Sequence, residues 1–289
     1  MIFVSYNIQW GKGKDGRVDL GRIAAELEGA DVIALQEVDR FWARSGAVDQ
    51  AAEIARHFPD HHWAYGPGID LDASFRDDAG RLVGRRRQFG NMLLSRRPIL
   101  SSRNHLLPKM HLDEALSLQR SALEAVTQAP SGPLRVYSVH LGHRSIPERL
   151  AQIGRLLDIV AGAPGEGGAW SGRRFDPVWA LDGAQPPMPH PAVVLGDFNC
   201  TSDSAEYRSL CGAAGPGAGR KAGAECLTDA WIATGNNRAD GWTCEEDGAR
   251  VRIDYALVTA DLAGKLRTMR VDHDAQGSDH QPIWLAIGL

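Results

Sequence analysis

The sequence is poor in the features that identify a protein quickly, and each scarcity excludes something. Its 289 residues include four cysteines, Cys200, Cys211, Cys226 and Cys244, none in the short paired spacings of a zinc site or redox dithiol. They read as reduced structural thiols. No apolar run is long enough to span a bilayer, and the opening Met1-Ile2-Phe3-Val4-Ser5-Tyr6-Asn7 lacks the basic head and long apolar stretch of a secretory signal. A cytoplasmic protein, not integral to a membrane, is the expectation. Charge of one sign is also lacking: 32 basic against 36 acidic residues give a formal net charge of -4, so no global basic field recruits nucleic acid or anionic lipid. A P-loop is missing too, because Gly11-Lys12-Gly13-Lys14-Asp15-Gly16 has the wrong spacing and reads as a flexible turn. No internal repeat is visible.

What is present is an alternation of short apolar runs with amphipathic ones. Residues 2–8, 32–36, 92–95, 134–140, 192–195, 253–258 and 283–287 read as strands, several of them buried. Helical patterns cover 20–27, 50–57 and 147–161, the last with Leu150, Ile153, Leu156, Leu157 and Val160 on one face. The mixture predicts an α/β protein. Two Gly- and Pro-rich stretches, near 162–191 and 212–224, break the pattern. Strand signals continue on both sides of each, so long surface loops within a single domain over 1–289 are expected.

Polar residues stand at the carboxyl ends of the apolar runs, where an α/β sheet usually presents its site. Asn7 ends the first run, and Glu37 follows Ala34-Leu35-Gln36. An amide oxygen and a carboxylate suit a hard cation such as magnesium, although either residue alone is as well explained by a cap or a strand end. In Val193-Val194-Leu195-Gly196-Asp197-Phe198-Asn199 a strand ends in Gly, a carboxylate and an amide. An Asx turn explains one such ending, but not its recurrence on other runs. His140 lies inside Val139-His140-Leu141, where a core histidine is the commoner meaning. Near the C-terminus, Arg252-Ile253-Asp254-Tyr255 and Gly277-Ser278-Asp279-His280 supply Asp254 and His280 as a candidate carboxylate–imidazole pair.

Taken in order, Ser5-Tyr6-Asn7-Ile8, Leu35-Gln36-Glu37-Val38, Gly90-Asn91-Met92-Leu93-Leu94-Ser95, Val139-His140-Leu141, Gly196-Asp197-Phe198-Asn199, Arg252-Ile253-Asp254-Tyr255 and Ser278-Asp279-His280 resemble the endonuclease/exonuclease/phosphatase family, the DNase I-like superfamily. The resemblance runs over nearly the whole chain. It implies a four-layer α/β sandwich, two mixed β-sheets packed face to face with helices outside. It implies that Asn7 and Glu37 bind Mg2+ or Mn2+, with Asp279 near a second position. Asp197 would then orient and deprotonate the attacking water, Asn199 would hold a phosphoryl oxygen, His140 and His280 would contact the phosphate, and Asp254 would orient His280. Asp197 and His280 both remain candidates for the base. Arg120, in Leu118-Gln119-Arg120-Ser121, lies where related nucleases carry a phosphate-contacting arginine, and equally reads as a solvated strand-end arginine.

The activity implied is metal-assisted hydrolysis of a phosphate ester, most simply a diester of nucleic acid, a phospholipid or a small molecule. No stable protein partner is implied. A phosphomonoesterase is the alternative, needing extra cationic groups, and a catalytically inactive binding relative would have lost residues that are all present here. Arg81, Arg85, Arg86 and Arg87 form the densest basic cluster but read as a solvated loop, since no aromatic stacking series accompanies them. His57, Asp60, His61 and His62 read as a strand start rather than a metal site.

Overall fold

The computed structural model describes residues 1–172, 178, 185–212 and 226–289. In chain order the strands are β1 (Ile2–Asn7), β2 (Val32–Arg40), β3 (His62–Asp72), the short pair β4 (Phe75–Arg76) and β5 (Leu82–Val83), β6 (Arg86–Ser95), β7 (Ile99–Leu106) and β8 (Ser121–Ala129). They continue with β9 (Gly132–His140), β10 (Ala192–Asp197), β11 (Thr228–Asp229), the pair β12 (Cys244–Glu246) and β13 (Ala249–Val251), β14 (Asp254–Val258), β15 (Leu266–Val271) and β16 (Ile283–Ile287). The helices are α1 (Leu20–Ala25), α2 (Gln50–His57), α3 (Ile146–Glu166), α4 (Ala205–Cys211), α5 (Ala230–Ala233) and α6 (Ala260–Ala263).

Two six-stranded mixed sheets result, ordered β15-β16-β1-β2-β6-β3 and β11-β14-β10-β9-β8-β7. Each has one parallel pair at its centre, β1 with β2 and β10 with β9, flanked by antiparallel neighbours. Strand alternation builds the layers. On β10, Val193 and Leu195 enter the core between the sheets while Ala192 and Val194 join the outer core under α3 and α4. On β1, Phe3 faces the other sheet, whereas Val4 and Tyr6 pack with Ile23 of α1 and Ile54 of α2. Burial of each large side chain contributes roughly 1.5–3 kcal/mol. Because both faces of the central strands are covered, they read as near-continuous apolar runs. The fold is the expected four-layer α/β sandwich.

Two details depart from the sequence reading. Leu150 is 37% exposed, so the buried face of α3 is carried by Ile153, Leu156, Leu157 and Val160 without it. The helix also runs on to Glu166, past Gly162 and Pro164, so the first long loop starts later than expected. Pro164 has no N–H to give to the Val160 carbonyl one turn back. The buried Arg135 Nη1 donates to that oxygen instead, at 2.7 Å. The remainder of this loop falls partly, and the second Gly-rich stretch almost wholly, outside the described residues.

Candidate active site

The parallel pairs aim their carboxyl ends at one rim, and the antiparallel β14 begins there. The register sets Asp197 against His140 on one side and Asp254 on the other. Local backbone makes this possible. At Gly196, φ is +153° and a Cβ would lie 1.9 Å from the Val139 carbonyl oxygen, so only glycine lets β10 approach β9 so closely. Glu37 sits in a register shift between Leu35 and Val38 with φ +59°, and Asn199 has φ +50°. Such left-handed residues cost of order 1–3 kcal/mol and cluster at functional sites.

Asn7 Nδ2 donates to Asp197 Oδ2 at 2.9 Å and approaches Glu37 Oε1 at 3.5 Å, joining the two sheets. His140 Nε2 lies 3.4 Å from Asp197 Oδ2 and 3.9 Å from Glu37 Oε1. His280 Nδ1 is 2.8 Å from Asp254 Oδ2, which leaves its Nε2 3.9 Å from Asp197. The backbone N–H of Asn199 donates to Asp197 Oδ1 at 2.9 Å, and its side-chain Nδ2 to the Leu141 carbonyl at 3.0 Å. Asp279 stands exposed at the rim, where Gln9 Nε2 donates to it at 2.5 Å.

Arg120 is not a solvated strand-end residue. It is 4% exposed, its Nη1 lies 3.1 Å from His140 Nδ1 and its Nη2 3.4 Å from His143 Nδ1, and its Nε has no partner. No carboxylate forms a direct ion pair with it among the described residues, although Glu37, Asp197 and Glu148 act on it at longer range, so a buried cation stands beside the histidines without a contact partner of opposite charge. The sequence reading missed His143, although Leu141-Gly142-His143-Arg144 places it just past the end of β9.

The electrostatics follow from burial. Desolvation raises the Glu37 carboxyl above the ordinary range. It raises Asp197 too, and the neighbouring Asp254 carboxylate adds to the shift. Burial, reinforced by Arg120, holds His140 well below the usual imidazole range. Burial alone would also depress His280, but Asp254 outweighs it and holds His280 well above its ordinary value.

The donor set suits a hard divalent cation. Glu37 and Asp279 offer carboxylate oxygens, and the part-buried Glu37 has only long contacts to Asn7 Nδ2 and His140 Nε2. Asn7 Oδ1 accepts from the Gln9 N–H while its Nδ2 faces Glu37, so the amide would offer its oxygen to an ion beside Glu37 only after turning over. Asp197, Asp254 and His280 also converge closely enough to hold an ion, the one such grouping among the described residues. In that group, however, His280 Nδ1 and Asp254 Oδ2 are already hydrogen-bonded to each other, which describes an oriented imidazole better than a cage. His57, Asp60, His61 and His62 form no ligand cluster, and His61 instead contacts the Ala30 carbonyl.

A two-sheet α/β sandwich with carboxylates, two oriented histidines and a buried arginine at one rim defines a hydrolase of phosphate esters. The sequence bears this out: residues 4–280 match the Endonuclease/Exonuclease/phosphatase family, and the chain belongs to that family of hydrolytic phosphoesterases. No curated protein sequence matches. Among solved structures, an endonuclease/exonuclease/phosphatase from Beutenbergia cavernae superposes with a TM-score of 0.67 at 21% identity, covering 100% of this chain and 72% of the other. A mannosyl-6-phosphatase from Bacteroides thetaiotaomicron gives 0.64 at 15% identity over 100% of both chains. A Neisseria 3' phosphatase bound to a product DNA hairpin gives 0.59 at 16%, covering 100% of this chain and 99% of that one. At these identities the likeness is one of fold.

Proposed function

We propose that the protein is a divalent-metal-dependent phosphodiesterase. The observation that carries this reading is Arg120, a buried guanidinium with no carboxylate partner and an unsatisfied Nε, set beside His140 opposite buried carboxylates. A buried guanidinium whose carboxylates Glu37, Asp197 and Glu148 stand off rather than in contact keeps its donors free for an anion, and a phosphoryl group fits both the charge and the planar donors. Besides Arg120 the cationic group at the site is His280, whose charge is already met by Asp254, which leaves little for a dianionic monoester and favours the diester.

Glu37 and Asn7 would hold Mg2+ or Mn2+, with Asp279 within reach, and the ion supplies charge neutralisation and polarisation of the ester oxygens. Asp197, held by Asn7 and by the Asn199 N–H, has the raised proton affinity that suits it to take a proton from the attacking water. His280, oriented by Asp254, directs Nε2 toward the same space. His140, kept neutral and contacted by Arg120, offers Nε2 to a phosphoryl oxygen, as does the second amide hydrogen of Asn199. Asn7 and Glu37 come from one sheet and His140, Asp197 and Asp254 from the other, which supports reading the chain as a single domain.

The test compares bis-p-nitrophenyl phosphate with p-nitrophenyl phosphate, with and without Mg2+ or Mn2+, using Glu37→Ala as control. Metal-dependent turnover that favours the diester and disappears in the control is expected. Preference for the monoester would overturn the diesterase reading, and turnover untouched by chelation would overturn the metal's role.

A further inference from the structure

The basic cluster that looked like a solvated loop in the sequence is accompanied by aromatic rings after all. They come from elsewhere in the chain. The Phe89 ring centroid is 6.4 Å from that of His140, and the Arg44 guanidinium lies 5.2 Å from the rings of both Phe89 and Trp42. Arg87 covers Trp42 at 5.6 Å. Farther out, Arg85 lies 5.0 Å from the Phe41 ring and 4.4 Å from that of Phe75. A row of alternating rings and guanidiniums therefore leads from the catalytic rim along β6.

Not all of these cations are free. Arg44 pairs with Asp39, Arg40 with Asp49 and Arg86 with Asp70. Arg85 and Arg87 have no carboxylate among the described residues. The one side-chain hydrogen bond of Arg87 goes from Nε to the Phe41 carbonyl at 3.3 Å, and the Arg85 side chain makes none. Both are half-buried and laid on rings, so much of their freedom is lost before a ligand arrives, while their remaining N–H donors stay unused.

We propose that Arg85 and Arg87 form a phosphate-backbone subsite, and that the substrate is a single nucleic-acid strand whose neighbouring phosphates lie on them while the scissile ester lies at Asp197. This rests on the phosphoesterase reading above. Arg87 and Arg85 stand two and four residues before Phe89, the ring beside His140, so at roughly 3.3 Å per residue of extended backbone they lie about 7 and 13 Å farther along, beyond the reach of one phosphate. A repeating anion is needed. The rings of Phe41 and Trp42 already carry guanidiniums, so they orient arginines rather than stack bases, and recognition runs through the backbone. One row of cations follows one strand. The net charge of -4 leaves this local track as the attraction.

The probe is a short fluorescent oligothymidylate, bound in EDTA across a salt series and read by anisotropy. Each phosphate contact on a single strand contributes about 0.7 to the slope of log affinity against log salt. The double variant Arg85→Gln, Arg87→Gln should therefore lower the slope by about 1.4 and weaken binding at low salt roughly tenfold or more. Arg85→Lys, Arg87→Lys should keep the slope. Both variants should hydrolyse bis-p-nitrophenyl phosphate as the wild type does. Equal slopes and affinities for wild type and glutamine variant would overturn the proposal, as would a loss confined to binding of phosphatidylserine vesicles. Failure of the wild type to hydrolyse the small diester would instead overturn the catalytic reading, whatever the slopes.

Discussion

Asp197 is the side chain on which most of the site converges, since Asn7, His140, the Asn199 N–H and, at longer range, His280 all address it. Replacing it by asparagine keeps the shape and removes the proton acceptor. Turnover of a diester by Asp197→Asn should fall roughly 10²–10⁴-fold, with only a small change in melting temperature, because relief of a desolvated carboxylate is offset by an amide NH2 set against either the Asn7 Nδ2 or the Asn199 N–H. Little loss of kcat would remove Asp197 from the chemistry and leave His280 as the base. Arg120→Met removes a buried cation with no carboxylate in direct contact, although Glu37, Asp197 and Glu148 lose its longer-range field. We expect roughly a 10–100-fold lower kcat/KM, with little harm to folding. A collapse of stability in that variant would mean that Arg120 serves the core rather than a phosphate.

At the scale of strands and helices, the two halves of the site are held at a fixed separation by a buried polar bridge just beneath it. Gln36 Nε2 donates to Ser138 Oγ at 2.9 Å, Ser138 Oγ donates to the Leu35 carbonyl at 2.9 Å, and Ser5 Oγ approaches Gln36 Oε1 at 3.4 Å. Ser138→Ala strands the Gln36 amide in an apolar interface at a cost of about 1–3 kcal/mol. Denaturant unfolding should register that loss, and an unchanged midpoint would show that the bridge is idle. Gly196→Ala should do more damage, since its Cβ meets the Val139 carbonyl at 1.9 Å; a soluble, active alanine variant would contradict that geometry. This scale also shows what the sequence could and could not disclose. The central strands were legible because both faces are buried and the apolar run is unbroken. β7 was not, since Ile99–Leu106 alternates half-buried and exposed residues with Ser, Arg, Asn and His among them. β8 hid behind Ala, Leu, Glu and Gln, which read locally as helix formers until tertiary burial overrides them. Among site residues, those at strand ends could be read from their runs. The burial of Arg120 could not, because it depends on His140 and His143 from across the sheet.

At the scale of the whole molecule, buried histidines make stability depend on pH. Burial, helped by Arg120, pushes His143 down to about 4 from the ordinary 6.5, so the folded state binds this proton later than the unfolded chain. The sign follows: the contribution is intact above the unfolded pKa of 6.5 and is lost progressively as pH falls toward 4. His140 and His61, also depressed, act in the same direction. Asp197 and Glu37, raised by burial, act in the opposite direction over the same range, so the readout is the difference between two proteins. As pH falls from 6.5 toward 4 the melting temperature of the wild type should decline relative to that of His143→Gln, and parallel profiles would rule out His143 as a contributor. The site's construction from two sheets explains why no short motif was decisive alone. None of the described helices is long and apolar enough to cross a membrane, which agrees with the absence of such runs in the sequence.

One feature of the topology bears on time rather than space. β1, which precedes the other strands in chain order, pairs on one side with β2 and on the other with β16, and the Met1 amino group meets the Ile287 carbonyl at 2.7 Å. The flank of β1 that awaits β16 stays an open strand edge while all the strands between them are synthesised, and His280 emerges only just before the closing strand. A nascent chain therefore carries a long-lived risk of mispairing at β1. Catalytic competence and closure of that edge arrive together, with His280 and the strand that follows it.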